Sequence, residues 1–151
     1  MPAPEKRTLE QRRAEYALGK IDQVKKKSRA DQAKYKSQLL KLPSRLHTNG
    51  FGQTVAFYLA AGKGKPEWEI CSLLQAWLAD QQIYPADKDL IRSIAEGSEA
   101  LYRRASAEAR ALAIWLKRFA EAFIQEEETK HAESSATAPG VGEASPTERA
   151  G

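Results

Sequence analysis

Residues 98–127 read SEALYRRASAEARALAIWLKRFAEAFIQEE, and this stretch decides the fold. At about 100 degrees per residue, Leu101, Ala105, Leu112, Trp115, Leu116, Phe119 and Phe123 fall within one sector, which predicts a long helix with a core-facing stripe. The remainder of the chain has the same character. Nine Gly and seven Pro are few for 151 residues, and several of them fall in the last thirteen, so the body lacks the residues that punctuate β structure. The expected class is all-α, a compact bundle of about six helices.

Working outward, residues 66–82 predict a helix with Pro66 in its first turn beside Glu67 and Glu69, and with Trp68, Leu73, Leu74, Trp77 and Leu78 as anchors. Between these two helices Pro85 breaks the chain. Asp87 is the expected cap of a short helix carrying Leu90, Ile91 and Ile94 and ending near Gly97. Upstream, FGQTVAFYLA at 51–60 has β-branched and aromatic residues but no clean alternation, and it reads as a short buried helix. A helix from near Asp31 to Lys41 precedes it, with Pro43 predicting a kink or a new short turn that ends at Asn49-Gly50.

The first helix is expected over residues 8–28. A Thr8-x-x-Gln11 capping box opens it, and Leu9, Tyr16, Ala17, Ile21 and Val24 form its apolar side. After Glu126 aromatic residues vanish and Glu, Ser, Ala, Thr, Pro and Gly dominate, a composition too poor in apolar surface to offset ordering entropy. The expected organisation is a flexible 1–7, a helical domain over 8–127 and a disordered C-terminal tail over 128–151.

One cysteine, Cys71, precludes an internal disulfide, and no secretory pattern opens the sequence, so a cytoplasmic protein is expected. The longest apolar stretches fall far short of the roughly 20 residues needed to cross a bilayer, so no membrane partner is expected. Charge is unevenly placed. Residues 1–65 hold 15 Lys or Arg against 5 Asp or Glu, whereas residues 66–151 hold 9 against 15. A basic first half suits a polyanion, because neutralising phosphates releases condensed counterions.

Enzymatic chemistry finds no constellation. His47 and His131 are the only histidines, and there is no Cys-x-x-Cys, His-Glu-x-x-His or Asp cluster, so neither a metal nor another cofactor is expected. Cys71 among Ile70, Leu73 and Leu74 reads as a small buried hydrophobe, and His47 as a hydrogen-bonding group near a loop. GKGK at 62–65 lacks the spacing of a phosphate loop and reads as a lysine-bearing turn. The cations are better ordered. Arg13, Lys20 and Lys27 recur every seven residues, as do Arg103, Arg110 and Lys117, with steps of about 10.5 Å along a helix. The second row is expected opposite the apolar stripe. Tracking a phosphate backbone and serving as a solvated, salt-bridged face are both open readings of these rows.

Three segments together resemble the small helical subunit family of type III-B CRISPR Cmr effector complexes: QRRAEYALGKI at 11–21, LPSRLHTNGFGQTVAFYL at 42–59, and WLKRFAEAF at 115–123. With Tyr102-Arg103 upstream of the third, the likeness extends over residues 8–126. It implies a bundle that stacks with copies of itself as a short filament beside the subunits holding the CRISPR RNA. Such subunits are non-catalytic and help line the channel for target RNA, while cleavage and nucleotide cyclisation belong to other Cmr effector subunits. The family pattern carries over to Pro43, Asn49, Gly50, Gly52 and Gln53 as loop and helix-start architecture, and to Lys117 and Arg118 as phosphate contacts.

The expected RNA-contacting set is therefore Arg13, Lys20, Lys27, Lys41, Arg45, Arg103, Arg110, Lys117 and Arg118. Two other classes compete with this reading. One is a structural helical adaptor whose cations meet acidic protein surfaces. The other is a free helix-turn-helix regulator, which would need residues 42–57 to supply a recognition helix although 51–59 are too apolar to read a groove.

Overall fold

The computed structural model describes residues 5–125 and shows six helices, with no strand among the described residues. In chain order they are α1 Leu9–Val24, α2 Arg29–Asn49, α3 Phe51–Leu59, α4 Pro66–Asp80, α5 Leu90–Glu96 and α6 Glu99–Phe123. The expected tail, and His131 with it, lies outside the described residues.

Local signals place most helix starts. Thr8 and Gln11 form the reciprocal capping box. Ser28 caps α2 by accepting from Asp31 N–H, and Ser98 caps α6 by accepting from Leu101 N–H. Pro66 occupies the first turn of α4. At α5 the cap position is Asp89 rather than Asp87, and its side chain makes no capping bond. The free Leu90 N–H instead donates to Gln75 Oε1 of α4, so a tertiary contact sets that boundary.

Residues 29–49, where Pro43 predicted a kink or a new short turn, form one helix. Pro43 lies inside α2, which runs unbroken to Asn49. An internal proline costs roughly 3 kcal/mol of helix stability. Leu39, Leu42 and Leu46, at most 2% exposed, bury one continuous face on both sides of it and hold the axis across the missing N–H. His47 consequently sits exposed in the last turn of a helix, not beside a loop. Gly50 stops α2 with φ 87, a left-handed value that a side chain would resist.

The long α6 is the axis on which α2 and α1 pack most extensively, while α3, α4 and α5 gather on one another and on α2. Phe51 meets Tyr102 near the start of α6, with ring centroids 5.9 Å apart. Lys36 Nζ reaches the Ile124 carbonyl just past the end of α6 at 2.7 Å, so α2 runs antiparallel to α6. Arg13 meets Glu108 and Lys25 meets Phe123, which sets α1 parallel to α6.

The buried face of α6 differs from the expected stripe. Ala105, Ala109, Ala113 and Ala120, with Leu112 and Leu116, are fully buried. Trp115 and Phe119 are only partly covered, and Phe123 is 44% exposed. Small side chains let α6 approach its neighbours closely, and bulky rings fit only at the rim of that seam. There the rings stack along the helix, with centroids 5.4 Å apart for Trp115 and Phe119 and 5.8 Å for Phe119 and Phe123. The row Arg103, Arg110 and Lys117 therefore flanks the buried face at about a third of a turn instead of standing opposite it.

Candidate nucleic-acid interface

The nine cations proposed from the sequence do not share one surface. Arg13 is taken inward: its Nε and Nη2 donate to both carboxylate oxygens of Glu108, at 2.6 and 2.8 Å. Trp77 Nε1 donates to the same carboxylate at 2.9 Å. Burial alone would push the Glu108 carboxyl upward. The hydrogen bonds from Arg13 and Trp77 and the attraction of Arg13 and Arg104 outweigh it and hold the group below the ordinary carboxylate range. This forked pair clamps α1, α4 and α6 together; it commits two of the five guanidinium donors to Glu108, and Nη1 stands 3.6 Å from Glu10 Oε2, so the charge of Arg13 is already offset by carboxylates.

Lys20 and Lys27, from the same row, line a groove between α1 and α4 with Glu69, Ser72, Leu73 and Ala76. None of the α6 row lines this groove. Each lysine rides over a tyrosine ring, Lys20 at 5.1 Å from the Tyr16 centroid and Lys27 at 5.4 Å from that of Tyr35. Tyr16 is fixed by donating to the Leu73 carbonyl at 2.8 Å, and burial, reinforced by the charge of Asp80, pushes its hydroxyl up to about 12. Lys27 also faces Glu69 at 3.9 Å, which partly offsets its charge.

On α2, Lys41 is exposed and Arg45 is half-buried. Arg45 Nη1 donates to Gln38 Oε1 at 2.7 Å and to the Tyr58 hydroxyl at 3.1 Å, so its guanidinium has a set position at the α2–α3 surface. On α6, Arg103 pairs with Glu99, Arg118 stands 3.6 Å from Glu121, and Arg110 donates to Ser106 Oγ at 2.7 Å. Lys117 is half-buried. The Arg103 and Arg118 pairs are exposed i,i+4 and i,i+3 contacts of the kind that stabilise a helix by a few tenths of a kcal/mol.

The corner shared by α2 and α3 is built from the glycines of the 42–59 segment. Gly52 N–H donates to the Tyr102 hydroxyl at 3.0 Å, tying the start of α3 to α6. Phe51, Thr54, Val55 and Tyr58 bury one side of α3, leaving Gln53, Ala56 and Phe57 outward, a surface without the charged face of a groove-reading helix. Cys71 is 4% exposed, and burial pushes its thiol up to about 12, so it is packing and not a nucleophile. Among the described residues no group of three or more His, Cys, Asp or Glu could hold a metal ion, and no helix is long and apolar enough to cross a membrane.

Sequence reading missed Glu108, Lys36 and Phe57. A lone carboxylate among the alanines of 105–113 was the available sign of the first, since an acid on a small-residue face needs a cationic partner. Nothing local marked Lys36 as a residue that reaches the end of α6, or Phe57 as an exposed ring.

Comparison with known proteins gives matches of two kinds, to a family model and to solved structures. A family model described as CRISPR-associated protein (Cas_Cmr5) matches residues 9–123. The crystal structure of a CRISPR-associated Cmr5 family protein from Thermus thermophilus superposes with a TM-score of 0.64 at 28% identity, covering 79% of this chain and 100% of that one. No curated protein matches the chain significantly.

Proposed function

Since this chain belongs to the CRISPR-associated Cmr5 family, we propose that it is a non-catalytic small subunit of a type III-B Cmr effector complex that stacks with copies of itself and contacts the target-RNA backbone through basic side chains. The observation that carries the RNA reading is the distribution of cations. The first 65 residues hold 15 Lys or Arg against 5 acids, and with Arg13 drawn inward and Lys36 buried the others lie on the outer surfaces of α1, α2 and the segments that flank them, and on the α3–α4 loop. Contacts of this kind position RNA without reading its sequence.

The proposed contact set narrows to Lys20, Lys27, Lys41 and Arg45, with the α6 residues Arg103, Arg110, Lys117 and Arg118 as a second group. Partners are the other Cmr subunits, the CRISPR RNA and the target, in the cytoplasm. The test is affinity of the assembled effector for target RNA as a function of salt. Replacing Lys20, Lys27 and Lys41 with Ala lowers affinity equally for unrelated guide and target pairs, and it lowers the salt slope by roughly 0.7 for each single-strand phosphate no longer neutralised. Normal assembly with unchanged affinity and slope would instead favour the structural-adaptor reading, in which these cations meet acidic protein surfaces.

A further inference from the structure

We propose that the α2–α3 face carries a stacking site for one unpaired nucleobase, with Phe57 as its platform; the inference rests on the RNA-contact reading above and locates a site within it. Phe57 is 59% exposed, more than the other exposed large hydrophobics Leu18, Ile114 and Phe123. A single exposed ring needs no explanation in itself. Its surroundings do.

The Arg45 guanidinium lies 5.0 Å from the Phe57 ring centroid and is held there by Gln38 and Tyr58, whose own hydroxyl donates to the Gln38 carbonyl at 3.0 Å. The guanidinium thus lies over one face of the ring before any ligand arrives, and a base would stack on the other. Asn49 and Gln53 share a shallow hollow with Phe57. Each of these amides offers both donors and an acceptor, so they suit the edge of any base without selecting one.

Phosphate contacts adjoin this hollow. Gln38, which positions Arg45, also lines a second hollow between α2 and the α3–α4 loop, together with Lys34 and Lys65. Lys41 is exposed one turn before Arg45. Glu67 is the one acid among the residues lining the two hollows. Cations along a track with an aromatic step between them are the arrangement that binds single strands, the cations following the backbone and the ring taking a base. The aromatic ladder on α6 lacks these features. Trp115 already donates to Glu10 at 2.6 Å, and Phe123 is less exposed than Phe57, at 44%.

The test uses the effector assembled with the full-length subunit, the same assembly lacking it, and a single-stranded target RNA carrying one 4-thiouridine at successive positions. Phe57→Ala is expected to lower RNA affinity about tenfold and to abolish a photo-cross-link to the α3 peptide. The salt slope should not move, because a neutral ring releases no counterions. Phe57→Trp should restore affinity, and Lys34→Ala with Lys65→Ala should lower affinity and slope together. Affinity and cross-links unchanged in Phe57→Ala overturn the stacking site, and the RNA-contact reading survives if the lysine variants still lower the slope. Equal affinity with and without the subunit overturns both. Failure of Phe57→Ala to join the assembly shows that the ring is buried against protein, which also overturns the site.

Discussion

Two arginines, Arg13 and Arg45, sit in opposite circumstances. Arg13 is enclosed by α1, α4 and α6, with its fork closed on Glu108 and Trp77 bonded to the same carboxylate. Arg45 lies at the α2–α3 surface on neutral partners, Gln38 and Tyr58, with the exposed Phe57 beside it. The difference is the carboxylate. Where the fold supplies one, the guanidinium is neutralised and becomes part of the frame; where it supplies only amides and hydroxyls, the arginine is positioned with its charge unspent.

Breaking the enclosed side has the largest expected effect. Glu108→Ala leaves the Arg13 charge and the Trp77 N–H without their partner and should destabilise the chain by about 3 kcal/mol, read from a denaturant midpoint. Arg13→Ala should cost a similar amount, and little more when added to Glu108→Ala, since both remove one interaction. Independent, additive losses would show that the three groups do not act as a unit.

The same network predicts a pH dependence. Because the folded-state pKa of Glu108 is lowered, its contribution is present above the unfolded value near about 4.3 and is lost as pH falls through the folded value. The melting-temperature gap between the native chain and Glu108→Gln should therefore stay constant at neutral pH and narrow below about pH 4. A gap that widens in acid would reverse the sign of the argument.

The boundary between enclosed and open surface can be sharpened on α6. Trp115 stands at the rim and its neighbour Leu116 is fully buried. Trp115→Ala should cost about 1 to 2 kcal/mol, below the roughly 3 to 5 expected of a fully buried tryptophan, while Leu116→Ala should cost more despite removing fewer atoms. Equal penalties would mean the ring carries more of the core than its exposure indicates. The smallest effect belongs to the open side: Phe57→Ala should shift stability by no more than about 0.5 kcal/mol, so that any loss of RNA affinity is a binding effect.

Helix identity was legible because most helices carry their own signals. The Thr8–Gln11 box and Pro66 act over three or four residues, and most of the Gly and Pro of residues 8–98 fall in the turns between helices. Of the kink or new turn expected at Pro43, the new turn did not occur, because the preference it expresses is local while Leu39, Leu42 and Leu46 are held from outside the helix. The expected α6 stripe holds at Ala105, Leu112 and Leu116 and is off-centre at its rings for a related reason. Hydrophobicity points to Trp115, Phe119 and Phe123, yet close approach of helices also selects Ala109, Ala113 and Ala120, and size complementarity is a property of two surfaces.

The sequence by itself determined the all-helical class, most of the boundaries, the family likeness and the excess of cations in the first half. Only the tertiary structure decided what each cation is for. Heptad spacing puts Arg13 in line with Lys20 and Lys27, but it carries no information about Glu108, 95 residues away, whose carboxylate withdraws one member of the row. Likewise nothing in 51–60 shows that Phe57 faces out while Phe51, Val55 and Tyr58 face in. Charge and hydrophobicity are properties of residues and can be read along a chain. Neutralisation and exposure are properties of pairs and surfaces, and they exist only once distant segments have been brought together.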